Sequence, residues 1–552
     1  MPIEKSKVAA SISRILKHKY FLLFFLWFVL TAINIDKAFH IDDTFHLEVS
    51  ECIKHTPLKP MSGLINWYST PEPIYEYNQP ALFFYSIALV SKIFGNHEIP
   101  LHLFLSVFTF LALYFFYRIA ELLSLKQKNT LLALFAFCPA FIINQNLMTD
   151  IPILALLMGF VYFLLKAGIN RKLTNYSISA SLLGFGLLIK YSLLPLLVVL
   201  ALVILIRREY KNLIVLLIPV GLLCLWSIWN YIEYGAIHIL NRQRGEIQFN
   251  QFLAFMGCLG SISVISISFV FGLFSSKITK WLLYLIVFAF AISIVFFAFN
   301  FISEKSYSRY LNNSFIINGF VIFVALFVAV ASSLKKTGLR NSITSGNFVV
   351  FLSFLTLSLF IILAAPFIAT RHVLLVIPFI LILAYELIDK ATIEVNRLTI
   401  TITVILGLLL GFSDWKYADY YRQMASEIHL PEGKNIWTAG HWGWQWYSVK
   451  NGMKPYNMNR PDIKNGDYLV YPGNISIQKF NQDIKLIVID KKWKEANMLT
   501  FFSGNNFASL YNSFVDKAPW SLSKKPIDTI YICKIEILRN DTMRNSRSRI
   551  SK

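Results

Sequence analysis

Pro80-Ala81-Leu82-Phe83-Phe84-Tyr85-Ser86-Ile87-Ala88-Leu89-Val90-Ser91-Lys92-Ile93-Phe94 is apolar enough to enter a bilayer. At about 15 residues it is shorter than the roughly 20 that a spanning helix needs. Its reading decides the fold, because the side of every later loop depends on it. If the segment spans, the basic loop at Lys126 and Lys128 falls outside and all later basic loops invert with it. If it lies along the membrane surface, the N-terminal tail, Lys126/Lys128, Lys166/Arg171/Lys172, Arg207/Arg208/Lys211, Lys277/Lys280, Lys335/Lys336/Arg340 and Lys390/Arg397 all share one side. Lys and Arg concentrate in cytoplasmic loops, so the surface reading is the consistent one, and an interfacial helix suits the length.

Working outward, apolar segments fall near 20–36, 99–118, 130–147, 151–167, 175–190, 193–207, 212–232, 251–275, 280–301, 314–334, 347–366, 371–388 and 397–413. This predicts a polytopic α-helical membrane protein of about thirteen transmembrane helices, N-terminus inside and C-terminus outside. A cytoplasmic tail covers 1–19 and the membrane domain 20–413. A large external first loop, 37–98, carries the surface helix 80–94 and is acidic in balance, with Asp42, Asp43, Glu48, Glu51, Glu72, Glu76 and Glu98 against Lys37, Lys54, Lys59 and Lys92. The basic start followed by the apolar run from Tyr20 resembles a signal peptide, but no small-x-small cleavage site follows, so it reads as an uncleaved first helix.

Composition agrees. Hydrophobic residues make up 56% of the 552, Phe alone counts 48, and 15% are charged, against about 25% in a soluble chain. The net charge of +21 would suit a nucleic-acid binder, but the basic residues sit mainly between hydrophobic segments, where positive-inside bias explains them. No nucleic-acid partner is implied; the bilayer is. Of five cysteines, Cys138, Cys224 and Cys258 lie in apolar segments and read as small core residues. Cys52 and Cys533 both fall outside and are open to pairing or to two free thiols.

After Ser413 the chain turns polar. Short β-type runs at 435–439, 467–471, 485–489 and 529–537 are separated by turns such as Lys464-Asn465-Gly466-Asp467. They predict a small extracytoplasmic α/β domain over 414–536, followed by a basic, disordered tail over 537–552.

Five constellations can carry chemistry. His40-Ile41-Asp42-Asp43-Thr44-Phe45-His46-Leu47-Glu48 places two adjacent carboxylates beyond the first helix. One acid can accept a proton from an incoming hydroxyl or amine; the alternatives are a solvated loop start capping the next helix, or a divalent-metal set of His40, Asp42, Asp43 and His46. Asp42 and His46, four apart, share a helix face. Met148-Thr149-Asp150-Ile151-Pro152 puts an acid at an external junction, either facing a cavity or capping its helix. Lys190 and Arg371, beside His372, are external basic residues that break the charge pattern, suited to a lipid-linked phosphate or to snorkelling. Gly440-His441-Trp442-Gly443-Trp444-Gln445-Trp446-Tyr447 is an aromatic cluster for a domain core, an interface or a sugar. No P-loop, Gly-x-Ser-x-Gly, His-Glu-x-x-His or dinucleotide fingerprint occurs.

Together these residues resemble the GT-C membrane glycosyltransferases of the protein O-mannosyltransferase and lipid A aminoarabinose transferase type. Asp42-Asp43-Thr44-Phe45-His46-Leu47-Glu48 is similar to that family's Asp-Glu-x-x-Tyr-x-Glu, with Asp for the second acid and His for Tyr. Asn78-Gln79-Pro80-Ala81 stands where the family has Lys/His-Pro-Pro-Leu, and lacks the basic residue. Phe94-Gly95-Asn96-His97-Glu98, Met148 to Pro152, Gly186-Leu187-Leu188-Ile189-Lys190, Ala369-Thr370-Arg371-His372 with Pro378, and Gly440-His441-Trp442-Gly443 follow in family order. The resemblance implies inverting sugar transfer from a polyprenyl-phosphate-linked sugar to a lipid, glycan or protein acceptor at the outer face of a bacterial cytoplasmic membrane. It implies Asp42 or Asp43 as base, Lys190 and Arg371 on the donor phosphate, Asp150 shaping the site, and His46 and Glu48 as further substrate contacts. No cofactor is implied beyond the divalent-metal alternative. A transporter or flippase of lipid-linked sugars would show repeated halves, and none is visible. A polysaccharide polymerase or ligase would gather its basic residues in a late external loop, whereas Arg242, Arg244 and Arg309 are scattered.

Overall fold

Among the described residues of the computed structural model, seven helices are long and apolar enough to cross a bilayer: Glu98–Leu122, Asp150–Asn170, Tyr210–Tyr234, Thr279–Ala298, Glu304–Thr337, Gly346–Ala364 and Ile393–Ser426. An eighth crossing is available if the pair Phe249–Ser261 and Ser266–Leu273, bent by 91°, counts as one. The structure describes residues 19–538 apart from 78, 243–244, 246–247, 275–276, 432, 460–461, 504–509 and 512–516. The tail before Lys19, Asn78, Arg244 and the basic end after Leu538 lie outside the described residues.

The helices depart from an even set of thirteen for local reasons. Segment 130–147 breaks into Lys128–Ala136 and Pro139–Ile143, because Pro139 cannot continue a helix and pushes Cys138 to an extended ψ of 126°. Segment 371–388 splits into Thr370–Val373, Ile377–Leu383 and Tyr385–Lys390. The helices Phe21–Asn34, Leu82–Phe94 and Tyr191–Ile206 are apolar but short. Apolar runs of this length do not tell a straight span from broken, buried helix.

Helix Asp150–Asn170 sits at the centre, with 78% of its apolar window buried; Thr279–Ala298, at 7%, lies at the periphery. The tightest crossing joins Phe249–Ser261 to Glu304–Thr337, where Gly260 lies against the Phe315 carbonyl and Gly319 against the Met256 carbonyl, leaving no room for a Cβ. Such small-residue contacts let helix backbones pack closely where lipid removes the hydrophobic drive. Cys138 and Cys258 are buried, as their segments imply, but Cys224 is exposed on the outward face of its helix. Cys52 and Cys533 are free thiols.

The first loop carries helix Asp43–His55, the strand pair β1 (Leu64–Ile65) and β2 (Glu72–Pro73), and helix Leu82–Phe94. The last has 13 residues, about 20 Å of rise, against a hydrocarbon core of roughly 30 Å. It buries Phe83, Phe84, Ile87 and Ala88 and leaves Leu89, Ile93 and Phe94 exposed.

Beyond helix Ile393–Ser426, strands β3 (Ile436–Thr438), β4 (Lys454–Pro455), β5 (Tyr468–Pro472), β6 (Ile484–Trp493) and β7 (Thr529–Ile537) form one mixed sheet in the order β4-β3-β5-β7-β6. The first three run parallel, and β7 is antiparallel to both β5 and β6. All four expected β-runs form strands. The aromatic stretch from Trp442 becomes helix Trp442–Lys450, with Trp444 and Tyr447 buried. That helix packs on the first loop: a Cβ at Gly443 would come within 2.6 Å of the Phe39 carbonyl oxygen.

Candidate active site

The acids of the first loop sit on a short, heavily anchored segment. Lys37 is fully buried, forms an ion pair with Asp414 and donates to the Ile143 carbonyl at 3.0 Å. The Phe39 amide donates to the Tyr447 hydroxyl at 2.8 Å, and that hydroxyl donates to Glu98 at 2.6 Å. The His40 ring lies edge-on to Tyr417 and Tyr511, with centroids 4.8 and 5.5 Å away, and its burial, with Lys37 nearby, pushes the imidazole well below its usual range. Ile41 is left-handed at φ 51°, a conformation that costs a β-branched residue about 1–3 kcal/mol and persists only where the surroundings impose it.

This kink sends the paired acids in different directions. Asp43 is fully buried, and its Oδ2 accepts the His40 amide at 2.9 Å. Burial holds its carboxyl well above the usual range, partly offset by that amide. Asp42 is one quarter exposed and meets the Arg371 guanidinium, Nη1 to Oδ2, at 2.8 Å. A second pair stands beside it: Lys190 Nζ lies 2.8 Å from Asp150 Oδ1. Arg371 is close enough to Asp150 to feel its charge, so the two pairs form one cluster. Asp150 therefore spends a carboxylate oxygen on Lys190 rather than on capping its own helix. Several buried polar atoms of the cluster have no hydrogen-bond partner among the described residues: Asp43 Oδ1, Asn146 Oδ1, Thr149 Oγ1, Asp150 Oδ2 and Arg371 Nε. Most buried polar groups are paired, so these atoms are candidates for contact with a polar ligand or solvent.

Two further residues expected at the site spend their polar atoms on other protein groups, although His46 lies close enough to Asp42 and Asp150 to feel their charge. His46 Nδ1 lies 2.6 Å from the Leu147 carbonyl and Nε2 2.8 Å from Gln79 Oε1, so both ring nitrogens are held by protein. Glu48, on the other side of the helix, accepts from Gln445 Nε2 of the C-terminal domain at 2.7 Å; burial raises its carboxyl to about 7. His372 turns back on its own helix, Nδ1 accepting the Ala369 amide at 3.3 Å. The proposed metal set does not assemble: Asp42 is engaged by Arg371, His46 by Leu147 and Gln79, and among the described residues no three His, Cys, Asp or Glu side chains could hold a metal ion.

Sequence reasoning passed over Lys37, Asp414 and Tyr511. Lys37 carried a usable signal, a cation just before the acid pair in a loop of acidic balance. Arg242, read as scattered, in fact braces the first loop by donating to the Tyr75, Glu76 and Tyr77 carbonyls.

Residues 78–231 match the family described as dolichyl-phosphate-mannose-protein mannosyltransferase. Asp150 and Lys190 fall within the matched region; Asp42, Asp43 and Arg371 fall outside it. The resemblance read from the motifs thus has an independent counterpart. No curated protein matches the chain. Among solved structures, the chain is similar to ArnT from Cupriavidus metallidurans bound to undecaprenyl phosphate, at 12% identity and a TM-score of 0.38, covering 85% of this chain and 94% of that one. It is also similar to the Archaeoglobus fulgidus oligosaccharyltransferase tethered with an acceptor peptide, at 10% identity and 0.45, covering 79% and 64%. A third is AglB from the same organism in complex with an inhibitory peptide and a dolichol-phosphate, at 11% and 0.45, covering 82% and 70%.

Proposed function

We propose that this multi-span membrane protein is a glycosyltransferase that moves a sugar from a polyprenyl-phosphate-linked donor to an acceptor at the outer membrane face, with inversion at the anomeric carbon. The observation that carries the reading is the paired cluster Asp42–Arg371 and Asp150–Lys190. Two cations and two carboxylates share one site, and one member of each pair, Asp42 and Lys190, remains partly exposed.

In the proposed reaction an acceptor hydroxyl or amine attacks the anomeric carbon, and the bond from that carbon to the phosphate oxygen breaks. The acceptor's proton passes to the Asp42 carboxylate, and the lipid leaves as polyprenyl phosphate. Asp42 is the base on this reading because it is reachable; Asp43, fully buried, holds the loop. Lys190 and Arg371 stabilise the negative charge that grows on the leaving phosphate, the point at which preformed charge contributes most. Asp150 fixes Lys190. His46 and Glu48 shape the loop, and Glu48 ties it to the C-terminal domain. We place residues 414–536 outside the membrane and helix 80–94 along its surface, an arrangement supported by the loop charges.

Purified protein given a labelled polyprenyl-phosphate mannose should release polyprenyl phosphate when supplied with acceptor, and Asp42→Asn should do so far more slowly. If wild-type protein moves the intact lipid-linked sugar between leaflets of a vesicle and cleaves none of it, the transporter reading replaces this one.

A further inference from the structure

We infer that Lys37 and Asp414 are a positioning pair for the transfer reaction: their buried contact holds residues 37–43 in the kinked form that presents Asp42 to Arg371. The inference rests on the proposed function and adds to it a role for two residues that do not touch the donor.

Lys37 and Asp414 are each 1% exposed at the side chain. Burying two charges is costly, and such a pair is often no more stabilising than apolar residues of the same size. Stability alone therefore does not explain the pair, and its surroundings point to geometry. From Asp414 the network runs to Tyr511, whose hydroxyl donates to Asp414 Oδ2 at 3.0 Å. From Tyr511 it runs to Asn146, whose amide donates to that hydroxyl at 2.5 Å, four residues before Asp150. From Lys37 it reaches the Ile143 carbonyl. His40 is wedged between Tyr417 and Tyr511, and its amide holds Asp43. Three distant parts of the chain thus converge on residues 37–43: helix Pro139–Ile143, helix Ile393–Ser426 and the C-terminal segment at Leu510–Tyr511.

The strained residue is what these anchors act on. Ile41, at φ 51°, would relax to an ordinary conformation if residues 37 and 40 were released. Relaxation would rotate Asp42 away from Arg371. A misplacement of about 1 Å in a reacting group can cost about 100-fold in rate.

The test compares Lys37→Met, Lys37→Arg, Asp414→Asn and Tyr511→Phe in the full-length detergent-purified protein. Release of polyprenyl phosphate from labelled polyprenyl-phosphate mannose gives kcat and the donor KM; binding of unlabelled polyprenyl phosphate is measured separately. The expected result for Lys37→Met and Asp414→Asn is a kcat reduced about 100-fold with donor KM and polyprenyl-phosphate affinity within about threefold of wild type, since Lys190 and Arg371 are untouched. Lys37→Arg should recover much of the rate. A purely structural role would instead lower thermal stability and lipid binding together. If Lys37→Met does not fold, Tyr511→Phe decides, because it deletes one hydroxyl: a wild-type kcat there overturns the inference. Equally, folded Lys37→Met with wild-type kcat overturns it while leaving the transferase reading intact, provided Asp42→Asn is strongly impaired. Wild-type protein that cleaves no donor overturns the transferase reading itself.

Discussion

Replacing Arg371 by Ala should reduce kcat/KM about 1,000-fold, and replacing it in an Asp42→Asn background should reduce it only about 30-fold further. The difference follows from geometry. At 2.8 Å two unit charges attract with a gross energy of about 6 kcal/mol at an effective dielectric of 20. Most of that is returned as water reaches the freed groups, because the Asp42 side chain is 25% exposed. Hydrogen bonds to charged groups retain a net value of about 1.5–3 kcal/mol, and about 2 kcal/mol corresponds to roughly 30-fold. This is the part Arg371 exerts through Asp42, and it disappears once Asp42 is Asn. The remaining loss, another 30-fold or so, is the guanidinium's own action on the leaving phosphate, below the roughly 100- to 1,000-fold that removing one preorganised donor costs because Lys190 still serves that phosphate. The assay is release of labelled polyprenyl phosphate for wild type, both single variants and the double variant, with folding checked by thermal unfolding in detergent. Equal losses in the two backgrounds would show that the Asp42–Arg371 contact has no part in the reaction. A folded Arg371→Ala within threefold of wild type would remove Arg371 from the site altogether.

Lys190→Ala strands Asp150, 2% exposed, without its cation; thermal stability should fall by about 3 kcal/mol and donor KM should rise, whereas Lys190→Arg should restore stability before it restores rate, and an unchanged melting temperature for Lys190→Ala would contradict the buried pair. Glu48 is raised from 4.5 to about 7 by burial, so the fold binds its proton more tightly than the unfolded chain does. The stability it contributes is full below pH 4.5 and is lost as pH rises through about 7; Glu48→Gln should flatten melting temperature against pH over that window, and identical slopes for the two proteins would refute this. Gly443→Ala forces a Cβ within 2.6 Å of the Phe39 carbonyl and should lower kcat by displacing residues 37–43, read against Asn451→Ala at the exposed end of the same helix, which should leave kcat unchanged. Gly260→Ala places a methyl on the Phe315 carbonyl and should destabilise the protein by about 1–3 kcal/mol, seen as a lowered melting temperature.

What could be read from the chain and what could not divide along physical lines. The four β-runs were legible because alternation over five to nine residues bounded by turns is a local signal. The acid pair, Asp150, Lys190 and Arg371 stood out in the sequence because charge at a predicted external helix end is rare. Their assembly into Asp42–Arg371 and Asp150–Lys190 pairs was not, since nothing local says which cation meets which acid. The breaks inside 130–147 and 371–388 were missed because an apolar run long enough to span looks the same whether straight or broken at Pro139. Lys37 and Asp414 were missed for the same kind of reason: each is ordinary in its own neighbourhood, and only the fold brings them together. The divalent-metal set failed because closeness in sequence on a kinked segment does not bring side chains to one point.

Helix Ile393–Ser426 has 34 residues, about 51 Å of rise against a hydrocarbon core of roughly 30 Å. On the proposed topology, with the helix entering the lipid at Ile393, about 20 Å of it would stand clear of the bilayer, Asp414 would lie near the level where it emerges, and the C-terminal sheet follows its far end. It would then act as a lever with its fulcrum at the bilayer surface. A change of about 5° in its tilt, the kind of adjustment that hydrophobic mismatch produces, would swing the sheet by almost 2 Å while moving Asp414 far less. On that topology membrane thickness would act as a setting on how closely the C-terminal domain presses against the acid loop. The same protein in thick and thin bilayers should work at different rates with no residue changed.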